Sequence, residues 1–514
     1  MQISFNFTGR TSGARISIIQ RNTGKSIVDD GSPSDATALT TTTFRELYSD
    51  SILWTAERPY DDASAWLYAV DTLLQRAAGQ RPDLLHRLGS ICVSGTSASC
   101  LIVDSKDGGK VTRSPCMYDY DVLTRPSGSN AQRQDETNIY GLRAMNLLDK
   151  HAPPKHTSRA RTGSLAKLLR WNEERPLSSG ERVSHQADYV ALHLLHNPKK
   201  CGSGMLQNQY SVTSDWHNCL KLGYDVQSLQ WPKWLVSCLE DAGMRDPLAV
   251  LPSRVVSPGE VIGPVSSHVA SKYGILTDSV VVGGTTDSNA AFFAAVGGTR
   301  PQFGTAVTSL GSTLAIKQLS KTFVEDADRG VYSHRFPLHE VKELNRTTDN
   351  VAKHPHSAWL IGGASNVGCR ILRHEGFSNE ELKELSKEIN PSVSSPFNYY
   401  PLTKRGERFP VADSAREPML EPKPESRKEY LHGILQGISN VERLGFQVLS
   451  ELGASPSYPH VVWSCGGGAN NDMWLVMREV ILTESFGQPT QVKRAANTEA
   501  SYGAAILAAS TFEK

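Results

Sequence analysis

Short apolar runs alternate along the chain with small, hydroxyl-rich turns, and the runs set the first expectations. Residues 3–7 and 14–20 read as strands, joined by the turn Thr8-Gly9-Arg10-Thr11-Ser12-Gly13. Trp66, Leu67, Val70, Leu73, Leu74 and Ala77 recur at helical spacing behind the caps Asp61 and Asp62, which predicts a helix facing a core. Residues 91–103 read as strand, turn, strand, with Gly95-Thr96-Ser97 at the turn. Val280, Val281 and Val282 form a β-branched run typical of a buried strand. Gly283 and Gly284 stop it, and the Ala- and Phe-rich residues 290–295 begin a buried helix. Residues 302–317 predict a β-hairpin bending at Gly311-Ser312-Thr313, and residues 359–366 a strand. Leu431, Ile434, Leu435, Ile438, Val441, Leu444, Val448 and Leu449 lay an apolar stripe along a helix ending at Gly453. Val461-Val462-Trp463 is a further strand, followed by Gly466-Gly467-Gly468 and a helix with Trp474, Leu475, Met477, Val480 and Ile481 apolar. Strands that end in glycine turns and pass into helices predict an α/β protein.

The polar stretches qualify this outline. Residues 121–161 are rich in Ser, Arg, Asn and Pro and predict a surface excursion with one helix near 138–148. Residues 171–198 are helical in pattern, and residues 404–430 read as a loop. A chain of 514 residues exceeds one ordinary core, so two or three domains are expected. With 54 basic and 53 acidic residues the net charge is +1, which gives no reason to expect nucleic acid as a partner. No stretch approaches 18 consecutive apolar residues, so no membrane span is predicted. Eight cysteines lie at 92, 100, 116, 201, 219, 238, 369 and 465 without a Cys-x-x-Cys pair, and read as reduced thiols of a cytoplasmic protein. Residues 1–28 carry four Arg/Lys, many Ser/Thr and no acid, which leaves a chloroplast or other organelle leader as the alternative.

Candidate chemistry centres on Asp287. It is a carboxylate held where a strand ends and a helix begins, the place where open α/β sheets bind ligands. A carboxylate there can accept a proton from a substrate hydroxyl. The competing reading is a plain helix N-cap, since Asp is a preferred cap. Gly466-Gly467-Gly468 lets a flat ring or a phosphate lie against bare backbone. Backbone N–H groups at Gly311-Ser312-Thr313 suit a phosphate, or the segment is a simple bend. Ser97 offers a short hydroxyl to a sugar, or sits in an ordinary turn. His185 and Asp188, three apart, read as a hydrogen-bonded pair, because no further His or Cys completes a metal set.

Taken together in this order, Gly284-Thr285-Thr286-Asp287-Ser288, the glycine triplet with Asn471 and Asp472, and the closing Glu499-Ala500-Ser501-Tyr502-Gly503-Ala504-Ala505 resemble the FGGY family of carbohydrate kinases. The resemblance runs from about Ile91 to the end. Gly95-Thr96-Ser97-Ala98, His185-Gln186-Ala187-Asp188, residues 220–225 and residues 308–317 most resemble its plant and cyanobacterial xylulose-kinase-like branch, whose members look like D-ribulose kinases. It implies two ribonuclease H-like domains of the actin/hexokinase type with an interdomain cleft. The sugar domain would be residues 1–293 with the C-terminal helix 499–514 returning to it, and the nucleotide domain residues 294–498. It further implies ATP-dependent phosphorylation of a ketopentose, D-ribulose with D-xylulose as rival, Mg²⁺ on the phosphates, and a monomer or homodimer. Asp287 would be the catalytic base, and Ser12, Gly13, Arg15, Ser97 and Ser288 would join it in contacting sugar. Thr11, Gly311, Ser312, Thr313, Gly466, Gly467, Gly468 and Asn471 would contact ATP.

The family's first hairpin reads Asp-Phe-Gly-Thr-Ser-Gly-Ala-Arg or close to it. Thr11 to Arg15 match its end, but the Asp falls on Thr8, or on Asn6 if the loop is two residues longer. Neither is acidic, and no metal ligand is assigned. This departure keeps a second class open, a catalytically weak sugar- or nucleotide-binding protein on the kinase fold.

Overall fold

The computed structural model describes residues 1–9, 13–26, 39–124, 136–196, 211–297, 301–337 and 357–510. The chain divides into two compact units, Met1–Thr299 with Glu499–Lys514, and Arg300–Thr498.

The first unit holds β1 (Gln2–Phe7), β2 (Gly13–Ser26), β3 (Leu39–Leu53), β4 (Ser90–Gly95), β5 (Cys100–Asp104), β6 (Lys110–Cys116), β7 (Glu181–His185), β8 (Thr213–Asp215), β9 (Arg254–Val256), β10 (Val261–Pro264), β11 (Val280–Val282) and β12 (Thr285–Thr286). Its main sheet runs β10-β11-β4-β1-β2-β3, with β12 also on β4. β1, β4, β11 and β12 are mutually parallel, so their carboxyl ends gather on one edge.

Both faces of this sheet are covered. Ile3, Phe5 and Phe7 join Trp66, Leu73, Ile91 and Val190 in a core under the helices Ala63–Gln80 and Gln186–Leu195. The opposite face is small and hydroxylic, and it takes the C-terminal helix Ala500–Ser510. Ser17 Oγ meets Ser501 Oγ at 2.7 Å, and Ser90 Oγ donates to the Ala508 carbonyl at 2.6 Å. A Cβ at Gly503 would overlap the Ala290 carbonyl, so this glycine lets the C-terminal helix lie directly on helix Asp287–Ala295. Residues 2–7 and 13–26 are thus sheet strands.

Residues 91–103 are strand, turn, strand, as expected: β4 stays in the main sheet, and β5 crosses into a second sheet, β6-β5-β7. The chain leaves through Ala98, held at φ +64°. Residues 171–198 are not one helix, because Pro176 and the Ser178-Ser179-Gly180 turn end the first and β7 intervenes before Gln186–Leu195. Residues 121–161 are more than a surface excursion. Helix Glu136–His151 buries Ala144 and Leu148 in a second core with Val122, Leu165 and Leu235.

The second unit holds β13 (Thr305–Leu310), β14 (Leu314–Ser320), β15 (Tyr332–Phe336), β16 (Ala358–Ser365), β17 (Val461–Cys465) and β18 (Gln491–Arg494), in the order β15-β16-β14-β13-β17-β18. β13 and β14 form the expected hairpin, with Leu310 opposite Leu314. β17 runs parallel to β13, pairing Cys465 with Ser309. The long helix Arg427–Glu451 and helix Asp472–Phe486 pack beside them through Leu435, Ile438 and Trp474. Among the described residues, no helix is long and apolar enough to cross a membrane.

Candidate active site

In the first unit the carboxyl edge of β1, β4 and β12 brings together the β1–β2 hairpin, the turn after β4, and Asp287. Asp287 is the first residue of helix Asp287–Ala295, and Thr286 is the N-cap. The N-cap reading therefore fails for Asp287, because the chain turns one residue earlier. The Asp287 carboxylate is half-buried and accepts the Ser288 N–H at 2.7 Å. Ser288 is exposed.

Tyr118 links Asp287 to the hairpin, and sequence reasoning missed it. A Cβ at Gly9 would stand 2.8 Å from the Tyr118 hydroxyl, so the phenol leans on the hairpin tip. The same phenol is held above its ordinary pKa by burial, then by the charges of Asp119 and Asp287, which places Asp287 within electrostatic reach. The segment is anchored by the buried Lys167. Its ammonium donates to the Ala98 and Met117 carbonyls, both at 2.7 Å, and burial lowers its pKa. One cation thus clamps the turn that carries Ser97 to the strand end that carries Tyr118. Ser97 itself is half-buried.

Asn6 and Thr8, the two positions open to the missing carboxylate, sit differently in the hairpin. Asn6 lies in β1, opposite Arg15 in β2 and beside Ser94 in β4. It is buried, and its Oδ1 accepts from Ser94 Oγ at 2.8 Å. Thr8 instead closes the loop, donating to the Gly13 carbonyl at 2.7 Å and accepting from the Gly13 N–H at 2.9 Å. Gly13 is needed for contact, since a Cβ there would overlap the Ile52 carbonyl. Arg15 pairs with Glu499 at the start of the C-terminal helix, which ties its guanidinium to the chain itself. Arg10, Thr11 and Ser12 lie outside the described residues.

Gly283 and Gly284 serve packing. Their Cβ positions lie 2.4 Å from the carbonyls of Ser257 and Val93 respectively. Beneath Gly284 sits Asp215, fully buried, its carboxylate accepting the His217 and Asn218 N–H groups. Burial, then the charge of Asp188, pushes its pKa up to about 6. His217 meets Thr285 Oγ1 at 2.7 Å. His185 Nδ1 and Asp188 Oδ2 are 2.9 Å apart and form a capping box, as a structural pair would.

In the second unit the parallel strands β13 and β17 set two turns side by side. Gly466 has φ +82°, and its Cβ position lies 2.6 Å from the Leu310 carbonyl, just before Gly311. The three glycines differ in purpose. Gly466 needs its left-handed backbone, and a Cβ at Gly468 would meet Trp474 at 2.6 Å. Gly467 alone faces open space, with nothing within 4 Å of its Cβ position. Asn471 is the N-cap of helix Asp472–Phe486: its Oδ1 accepts the Trp474 N–H at 3.1 Å and its Nδ2 donates to Ser386 Oγ at 2.8 Å. Its side chain is therefore engaged within the protein. In the other turn Ser312 is exposed, Thr313 is half-buried, and the Gly311 N–H is taken by the Thr313 carbonyl at 3.2 Å.

Among the described residues no group of three His, Cys, Asp or Glu side chains could hold a metal ion. The hairpin offers an amide and a committed hydroxyl, so its described residues do not fit a carboxylate magnesium site.

The fold is similar to that of solved sugar kinases. The glycerol kinase of Plasmodium falciparum with ADP matches 98% of this chain and 88% of its own at a TM-score of 0.67 and 12% identity. The xylulose kinase of Rhodospirillum rubrum matches 99% and 89% at a TM-score of 0.67 and 18% identity. That of Bifidobacterium adolescentis matches 99% and 92% at 0.66 and 16% identity. In sequence, 262 residues, 50% of this chain, are 27% identical to the xylulose kinase of Bacillus subtilis (strain 168), and the match spans 47% of that relative, about half its length. No family model matches the chain. In fold the chain is thus similar to solved sugar kinases, and over half its length it is similar in sequence to a xylulose kinase.

Proposed function

We propose that this protein phosphorylates a ketopentose with ATP, D-ribulose ahead of D-xylulose. The observation that carries the reading is Asp287, a half-buried carboxylate at the carboxyl edge of a parallel sheet, beside Tyr118 and the β1–β2 hairpin. A sugar hydroxyl there would be oriented by Asp287, its oxygen would attack the γ-phosphorus, ADP would leave, and Asp287 would take the hydroxyl proton. Exclusion of water protects the phosphoryl group from hydrolysis. The adjacent turns at 311–313 and 466–468 suit the nucleotide, with Gly467 supplying the bare surface and Asn471 bracing the loop. Mg²⁺ would arrive on the phosphates, since it keeps several waters and uses few protein ligands. Motifs at 95–98 and 284–288 favour D-ribulose, whereas the Bacillus relative favours D-xylulose. One hydroxyl contact separates such epimers. Turnover on a panel of pentuloses, pentoses, glycerol and hexoses tests the assignment: faster phosphorylation of glycerol or an aldohexose than of any ketopentose overturns it.

The nucleotide half has its own test. Gly467→Val is expected to raise the ATP KM about tenfold or more, one lost contact of order 1.4 kcal/mol. Sugar KM and thermal midpoint should hold, because a side chain at 467 meets no protein atom. Unchanged ATP affinity would make the triplet a turn only.

A second reading, a weak binding protein on this fold, is favoured by the neutral Asn6. Asn6→Asp keeps the acceptor for Ser94 and restores the charge. It is expected to lower the magnesium concentration needed for half-maximal rate by about 10- to 100-fold. Thr8→Asp should not, because Thr8 points into its own loop. An unchanged magnesium series for Asn6→Asp would place the metal's support elsewhere.

A further inference from the structure

Two buried polar groups beside Gly95 have no hydrogen-bond partner among the described residues: Gln186 Nε2 and Thr286 Oγ1. Both residues are fully buried. An unsatisfied buried donor or hydroxyl is costly, so a fold keeps one where something else completes it.

Thr286 is the clearer case. It is the N-cap of helix Asp287–Ala295, where a threonine hydroxyl ordinarily accepts a first-turn N–H. Here the side chain makes no capping bond, and the Ser288 N–H goes to Asp287 instead. The hydroxyl is available for something other than the helix it begins.

Gln186 is held just as firmly. Its Oε1 accepts the Thr96 N–H at 3.1 Å and the Thr96 hydroxyl at 3.3 Å. The Thr96 N–H can only donate, so it fixes which end of the amide is oxygen and leaves Nε2 as the open donor. The two groups are neighbours. Thr286 is the β-pairing partner of Gly95, and the Cβ position of Gly95 lies 2.9 Å from Gln186 Oε1. Gln186 and Thr286 therefore both border Gly95, and Thr286 immediately precedes Asp287 in the chain.

We infer that Thr286 Oγ1 and Gln186 Nε2 are acceptor-recognition groups that hydrogen-bond secondary hydroxyls of the sugar whose reacting hydroxyl Asp287 orients. The inference rests on the kinase reading and goes beyond it by naming contacts that no motif assigns. A polyol is the chemical class that fits, because each hydroxyl both donates and accepts, and the pair offers one of each kind.

Thr286→Val tests this, since it keeps the shape and removes only the hydroxyl. In an acceptor-recognition role it lowers kcat/KM for the best ketopentose about 10- to 100-fold. The ATP KM stays put, the thermal midpoint is unchanged or higher, and Thr286→Ser restores turnover. Deoxy analogues of that ketopentose, each lacking one hydroxyl, give the decisive comparison. The gap between parent and Thr286→Val should vanish for one of them. Gln186→Glu keeps the acceptor for Thr96 and removes the N–H, and it should lose acceptor affinity in the same way even if the valine variant fails to fold. A lower thermal midpoint with unchanged kcat/KM would mean that a structural water satisfies these groups, and overturns the inference while the kinase reading stands. A gap that persists across every deoxy analogue overturns it as well. A parent that phosphorylates no member of the polyol panel overturns both.

Discussion

Asp287→Asn is expected to lower turnover by about 10²- to 10⁴-fold, the usual span for a lost general base. Asparagine keeps the shape and the oxygen that accepts the Ser288 N–H, so the helix start survives. What disappears is the negative charge and its affinity for a proton. ATP binding should persist, because the turns proposed for the nucleotide, at 311–313 and 466–468, belong to the other unit. The thermal midpoint should hold too, since Thr286 and not Asp287 is the N-cap. The phenol of Tyr118 gives an independent check. Asp287 is among the charges holding its pKa up, so the substitution should lower the Tyr118 pKa. Full turnover in Asp287→Asn would remove the base assignment. A drop in stability of about 1 kcal/mol with turnover kept would return the residue to a structural role at the helix start.

Much of this site was legible because it is local. Val280 to Val282, the glycine stop and the helix after it announce a strand end in consecutive residues. The same holds for residues 461–472 and for the 305–320 hairpin. What escaped was set by distance along the chain. Tyr118 lies 109 residues from Gly9 and reaches Asp287 only through folding. Nothing in the spacing of Lys167 indicates that it holds the carbonyls of Ala98 and Met117. Glycines were readable as turns but not as contacts. Gly283 and Gly284 lie against backbone carbonyls, whereas Gly467 faces open space, and only the neighbours tell them apart. The hairpin was ambiguous because a two-residue insertion fits strand pattern equally well. Asn6 pairs with Arg15 inside the sheet, whereas Thr8 bonds to Gly13 within the loop, a difference that spacing alone does not show.

The second large effect is expected at Arg478→Met, and it concerns the scaffold under the turns proposed for the nucleotide. Arg478 and Glu442 are both fully buried. Arg478 Nε and Nη2 each donate to the Glu442 carboxylate at 2.6 Å, Nη1 donates to Ser464 Oγ at 2.7 Å, and Thr308 Oγ1 donates to Glu442 Oε1 at 2.5 Å. The four residues come from two helices and from β13 and β17, the strands that end in the 311–313 and 466–468 turns. Removing the arginine leaves a buried carboxylate with one hydroxyl for company, which costs about 3–5 kcal/mol. Hydrogen exchange read on the β13 and β17 peptides should speed up, and ATP affinity should fall further than sugar affinity. Glu442→Leu combined with Arg478→Met should recover part of the loss, because no charge then remains unpaired in a dry interior. If the double variant is as unstable as the sum of the two single ones, the pair is not coupled, and the strands draw their rigidity from apolar packing around Trp474 instead.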